Sequence, residues 1–358
     1  MPARPSTIVV TAHHPHKPAG HKVPQRIFRA LATSATALSL AACAVTPEAP
    51  PPAPPVTEAA PLPEVTPEVV PASPASLDLA RYYRRMQNDL LSQGLLRSDD
   101  GEGDYPLSPE SLARNFTRIA LYDEYRVNAE GRVIAESGIS RLRRWEGPIR
   151  VQAHFGAATP AAQIARDTAS LAVLTGRLKG ASGHDIATTD QGGNIHILSL
   201  SEDERAQAVE SLRDLTPGIA RSSLDALRDM PRGVLCMAVA MTPPAGHGYI
   251  SAVIVIRSEL PDVLRLACLH EELSQAMGLA NDHPQVRPTI FNDDAEFALL
   301  TRQDQLMLKI LYDSRLRVGM TAAEAAPVAF QIANELLPPP AIALITAENA
   351  PADLGAPL

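Results

Sequence analysis

Eleven prolines stand between Pro47 and Pro74, interleaved with Ala, Val and Glu, and residues 44–76 contain no lysine or arginine. Proline fixes φ and removes a backbone donor, so this stretch can build neither a helix nor a sheet. It splits the chain into a short leader and a long remainder with a different composition. As a polyproline-type tether, at about 3.1 Å per residue, it could hold the remainder roughly 100 Å from whatever fixes its start.

The leader has the layout of a secretory signal. Lys17, Lys22, Arg26 and Arg29 precede an apolar run from Ala30 to Ala42, which is too short to span a bilayer and ends in small residues. It closes with Leu40-Ala41-Ala42-Cys43, which resembles the lipobox of bacterial lipoproteins. That resemblance implies a diacylglycerol on the Cys43 sulfur and cleavage just before it. An ordinary signal cut at an Ala-x-Ala site, with Cys43 incidental, is the alternative. Ala44 resembles the sorting class retained at the outer membrane. The polar segment 1–22, with His13, His14, His16 and His21, is read as discarded leader and not as a metal site.

Beyond the tether, an apolar content of 45% and a charged content of 20% are those of an ordinary globular domain. A net charge of −8 argues against a nucleic-acid partner, which would need a basic patch to neutralise phosphates. Helical and strand patterns alternate from Leu77 to Leu337. Leu77–Leu96 reads as a helix. Ser108 and Pro109 open a second, as N-cap and N1, expected to run to Tyr125. A hairpin follows around Asn128–Gly131. Ile149–Phe155 and Asn194–Leu200 read as strands, with a helix from Thr159-Pro160 between them whose stripe is Ile164, Leu171, Leu174 and Leu178. Ser201 with Glu204, and Thr321 with Glu324, are capping boxes. Val234–Met241 and Tyr249–Ile256 read as a β-hairpin, Pro261 opens a helix, and another spans Thr301–Tyr312. The expectation is one α+β domain with a mixed sheet over residues 77–337, after a signal peptide (1–42) and a lipidated linker (43–76), and before a disordered tail (338–358).

Two cysteines remain after Cys43. In an oxidising compartment Cys236 and Cys268 are expected to pair, tying a strand to the helix that follows; two buried thiols are the alternative.

The segment best able to carry chemistry is His270-Glu271-Glu272-Leu273-Ser274-Gln275-Ala276-Met277-Gly278-Leu279-Ala280-Asn281-Asp282. An H-E-x-x-H zinc motif starting at His270 fails, because Ser274 stands where the second histidine belongs. Moved by one residue, the frame is similar to the H-E-x-x-H-x-x-G-x-x-H motif of metzincin metallopeptidases. Glu271, Gln275 and Asn281 then take the three ligand positions, Glu272 the general-base position and Gly278 that of the glycine. Residues four apart share a helix face, and a glycine with positive φ can turn the chain back toward it. Zinc prefers imidazole and thiolate, whereas this set offers carboxylate and amide oxygens, which suit a hard cation weakly or simply a hydrogen-bond network. Pro288-Thr289-Ile290-Phe291 resembles the Met-turn with Phe291 in place of methionine. His270, His247 and His283 are the histidines nearest in sequence to a shifted site. Asn292-Asp293-Asp294 lacks the spacing of a calcium loop, and Ser274 lacks a nucleophile elbow.

Over residues 77–337 the chain is similar to a proteobacterial lipoprotein family, the domain of unknown function 2927 family. The hallmarks are Cys268-Leu269-His270-Glu271-Glu272, Gly278-Leu279-Ala280-Asn281-Asp282, Ile290-Phe291-Asn292-Asp293-Asp294 and Leu311-Tyr312-Asp313. The resemblance implies a divergent metzincin-like fold and no particular activity. Two functions are therefore expected to compete. One is a non-catalytic envelope lipoprotein, membrane-anchored through its lipid and facing the periplasm, that serves as scaffold or binds an envelope protein or peptide. The other is an atypical metallopeptidase in which Glu272 activates water, using zinc or another divalent cation.

Overall fold

The computed structural model describes residues 8–12, 72–130, 132–244, 246–292 and 294–337. Cys43, the linker as far as Pro71, the tail from Pro338 and all of the expected signal except residues 8–12 lie outside the described residues. No helix among those described is long and apolar enough to cross a membrane.

The first helix, α1 (Pro74–Ser92), opens three residues ahead of the expected start. Ser73 caps it by accepting the Ser76 N–H at 3.2 Å, and Pro74 sits in the first turn, where a missing N–H costs nothing. Helix α2 (Pro109–Ala120) starts where Ser108-Pro109 dictates but stops short of Tyr125. Its stripe of Leu112, Phe116 and Ile119 is buried, and the chain leaves helical geometry at Leu121. Tyr122–Val127 instead form β2, antiparallel to β3 (Val133–Ile139). Tyr122, Tyr125 and Val127 favour a strand, and pairing with β3 satisfies the backbone that a longer helix would have used.

The main sheet is built from β4 (Ile149–Phe155), β5 (Ile186–Thr188), β6 (Ile195–Leu200), β7 (Cys236–Met241) and β8 (Ser251–Arg257), with β1 (Ile8–Ala12) at one edge, in the order β1-β7-β8-β6-β4-β5. Strands β5, β4, β6 and β8 run parallel; β7 is antiparallel to both β8 and β1. Residues 8–12 were expected to belong to a polar leader. In the structure they pair residue for residue with β7, from Ile8 opposite Met241 to Ala12 opposite Met237.

Helices cover both faces, which is why β6, β7 and β8 read as almost continuous apolar runs. On one face Ile197, Ala238 and Ile254 meet α3 (Ala161–Ser182) through Leu171, Leu174 and Leu178, and α6 (Asp262–Ala276) through Leu264 and Leu273. On the other, Leu198, Val239 and Val255 meet α4 (Glu202–Leu215) and α5 (Arg221–Arg228). Helices α7 (Arg302–Leu311) and α8 (Ala322–Leu336) complete the first layer, packing against α2. The domain is α+β with a mixed sheet.

Cys236 of β7 and Cys268 of α6 form a disulfide, with Cα atoms 5.9 Å apart and a sequence separation of 32. It fastens β7, the second strand of the sheet, to the middle of α6. Serine at both positions is expected to lower the unfolding free energy by about 3–4 kcal/mol, the loop-closure entropy of a ring this size. Urea titration of the variant measures this, and an unchanged midpoint would show that the bridge contributes nothing.

Candidate functional site

Helix α6 carries the site. From Ala267 to Ala276 every residue is buried, which an apolar stripe alone would not produce. The helix runs through the interior, so its polar residues must find partners inside the protein. His270 is 4% exposed, and its Nδ1 accepts the Leu300 N–H at 3.1 Å. Burial, with help from the Arg177 guanidinium, pushes its pKa down to about 3, so the ring stays neutral. His270 therefore holds the loop before α7 and is not a ligand in waiting. Ser274 Oγ donates back to the His270 carbonyl at 2.7 Å, which occupies it as a helix hydroxyl and not as a nucleophile.

The helix ends as the glycine foretold. Gly278 has φ +126°, and its N–H returns to the Gln275 carbonyl at 2.9 Å. Two aromatic side chains take the last carbonyls: Trp145 Nε1 donates to Ala276 at 2.8 Å and the Tyr312 hydroxyl to Met277 at 3.0 Å. The chain then reverses and locks onto the end of α2. The Asn281 N–H donates to the Ile119 carbonyl at 3.1 Å, and its Nδ2 to the Arg118 carbonyl at 2.8 Å.

The four residues of the motif are interior ones. Glu271 is 2% exposed, Glu272 0%, Gln275 1% and Asn281 2%. The amide nitrogens are committed, since Gln275 Nε2 donates to Asp282 Oδ1 at 2.9 Å. Gln275 Oε1 and Asn281 Oδ1 are buried without a hydrogen-bond partner. Two further residues belong here. Asp282 binds Gln275, and Tyr125 of β2 feels the charges of both Asp282 and Glu272. Burial first, then Glu124 and those two carboxylates, holds its phenol well above the usual range. Asp282 stood in the candidate segment without a role, and Tyr125 could not be placed from sequence, because it arrives through a hairpin about 150 residues from α6 in the chain. His247 and His283 do not join the group: His283 Nδ1 accepts the Gln285 N–H at 3.2 Å, and His247 Cδ2 lies beside Gly319.

The set does not fit zinc. It offers carboxylate and amide oxygens and no imidazole or thiolate, and no group of three or more His, Cys, Asp or Glu side chains able to hold a metal ion occurs among the described residues. Behind the site, the turn Pro288–Phe291 is anchored by Asp304, the third residue of α7. The Asp304 carboxylate accepts from Thr289 Oγ1 at 2.5 Å, Ile290 N at 3.2 Å and Thr301 N at 2.8 Å. Full burial still pushes its pKa up to about 6.

A family model described as a protein of unknown function, DUF2927, matches residues 109–331, which run from the first turn of α2 into α8. The chain belongs to that family. The match takes in the whole of the α6 site and the main sheet apart from β1, while α1 lies ahead of it. No curated protein and no solved structure matches the chain.

Proposed function

We propose that this DUF2927 member is a lipid-anchored protein of the bacterial cell envelope, facing the periplasm, whose divergent metzincin-like domain is non-catalytic and binds an extended polypeptide segment. The single observation that carries the reading is the strand at the sheet edge. Five residues of the remote N-terminus, Ile8–Ala12, add to the free side of β7 in full antiparallel register and lie against α6 and β2. An edge that accepts a distant stretch of its own chain has the backbone pattern to accept another protein's strand. If the leader is removed ahead of Cys43, β1 goes with it and the outer row of β7 amides and carbonyls is open. The burial of Glu271, Glu272, Gln275 and Asn281 supports the non-catalytic half of the reading, since a substrate bond must reach its general base.

The test uses the chain starting at residue 43, with Cys43→Ser for solubility. Hydrogen exchange is followed at the β7 amides with and without a synthetic peptide of residues 6–14. Added peptide is expected to slow exchange at Met237–Met241 alone. Unchanged exchange at millimolar peptide would sink the binding-module reading.

The two partnerless amide oxygens, Gln275 Oε1 and Asn281 Oδ1, favour a second reading, a hydrolase built on a hard cation with Glu272 as base. Metal analysis of chelator-free protein separates the two. Stoichiometric metal lost in Glu271→Ala, with peptide cleavage lost in Glu272→Gln, would make the protein an enzyme.

A further inference from the structure

Strands β4 and β6 lie side by side and parallel, and their register brings two histidines together. His196 stands opposite Gln152, and His154 opposite Leu198, two residues on from His196. Side chains two apart share a face of a strand, so both rings lie on the α4 side of the sheet, where Leu198 packs. There they meet: His154 Nε2 is 3.1 Å from His196 Nδ1, and the ring centroids are 5.3 Å apart. A buried strand of a parallel sheet is normally an apolar run, so an imidazole inside β6, only 5% exposed, needs a reason.

The surroundings prepare both rings to offer a lone pair. Burial holds the pKa of His154 below its ordinary value, and burial followed by the neighbouring His154 does the same for His196, so both rings are neutral. A hydrogen bond to the Gly193 backbone acts the other way on His196. A bond that favours the protonated ring is one that the ring donates, and with Nδ1 facing His154 the donor is Nε2. That is the arrangement of a metal-binding imidazole, with one N–H held by the backbone while the other nitrogen presents its lone pair. The holding loop is itself fixed. Gln152 Oε1 accepts the Gly193 N–H at 3.1 Å, and Gln152 Nε2 donates to the Asp190 carbonyl at 2.9 Å. Only glycine allows so close an approach, since a β-carbon on Gly193 would lie 2.6 Å from Gln152 Cβ. His154 is half-buried, and among the described residues its Nδ1 bonds to no protein group.

From this geometry we infer that His154 and His196 form a two-histidine site for a divalent cation of the copper(II) class, with water completing its coordination. Two nitrogens 3.1 Å apart, each about 2.0–2.1 Å from a metal, subtend an angle of about 100°, close to the cis angle of a tetragonal ion. Among the described residues no Cys, Asp or Glu completes a group of three with the pair. Imidazoles alone suit the later first-row ions, and of these copper(II) binds tightest. Binding exchanges the bond between the rings for two nitrogen–metal bonds. The proton on His154 Nε2 passes to its Nδ1, so the ring stays neutral and no proton is released. The site is independent of Glu272 and of the β7 edge.

The test titrates copper(II) chloride calorimetrically into the full chain carrying His13→Ala, His14→Ala, His16→Ala and His21→Ala, which removes the other close-set histidines of the sequence. One equivalent is expected to bind, with the paramagnetic-resonance signature of two nitrogens. His154→Gln and His196→Gln should each abolish that equivalent. Because His196 is buried, its variant can disturb folding; melting transitions are recorded for both, and the half-buried His154 keeps the test decisive. Failure of copper to bind, or an equivalent that survives in folded His154→Gln, would overturn the inference and leave the pair as a hydrogen bond within the sheet.

Discussion

Alanine at Gly278 is expected to lower the unfolding free energy by about 3 kcal/mol or more. Two penalties act together. At φ +126° an L side chain is strained whatever surrounds it. A β-carbon there would also collide with the Arg143 carbonyl oxygen and stand 3.0 Å from Leu311 Cδ2. Neither neighbour can yield freely, because Arg143 is held in an ion pair with Asp123 and Leu311 is a buried residue of α7. Urea titration measures the loss, and the alanine variant should also move Asn281 off the Arg118 carbonyl. A loss below about 1 kcal/mol would mean that the helix end does not approach Arg143 as described.

Acid should weaken the domain through His270. Its folded pKa of about 3 lies below the ordinary 6.5, so between those values the folded state binds fewer protons than the unfolded one. The stabilisation is therefore complete above pH 6.5 and is lost as pH falls toward 3. From pH 7 to pH 5 this amounts to about 2 kcal/mol, at 1.36 kcal/mol per pH unit. Asp304 works in the other direction. Its pKa is raised to about 6 from 3.8, so the folded state holds that proton more tightly, and stability grows as pH falls through this window. The two partly cancel in the unaltered protein, and the variants separate them. Relative to the unaltered chain, His270→Asn should lose less stability on acidification and Asp304→Asn should lose more. Parallel stability–pH curves for all three proteins would refute both assignments.

What could be read ahead of the structure was what local chemistry decides. Ser108-Pro109, Ser201 with Glu204 and Thr321 with Glu324 start helices because a cap needs only neighbours. The α+β class and the β7–β8 hairpin followed from the apolar runs, and the pairing of Cys236 with Cys268 from their being the last two thiols. Gly278 was picked out because it falls on the glycine of the metzincin frame, where a positive φ lets the chain turn back. What escaped were facts set by distant partners. Tyr122–Val127 continued the α2 pattern until β3 offered a strand to pair with. Three-residue β5 is too short to show a period. The burial of Glu271 and Glu272 was not legible either, since sequence cannot show that α6 runs through the interior. The roles of Tyr125 and Asp282 depend on a hairpin and a helix end that meet only in three dimensions. The pairing of Ile8–Ala12 with β7 crosses more than two hundred residues, and no local pattern announces it.

The bridge between Cys236 and Cys268 has a mechanical consequence. Hydrogen bonds along a sheet edge yield one at a time when a strand is peeled away, but a covalent tie does not stretch. A tug on a segment seated along β7 would pass through the bridge into α6, and from there through the Trp145 and Tyr312 caps and the Asn281 clasp into α2 and α7. Strand β7 is thus moored to a helix that runs through the interior, and the weakest element along that line of force is the docked segment itself.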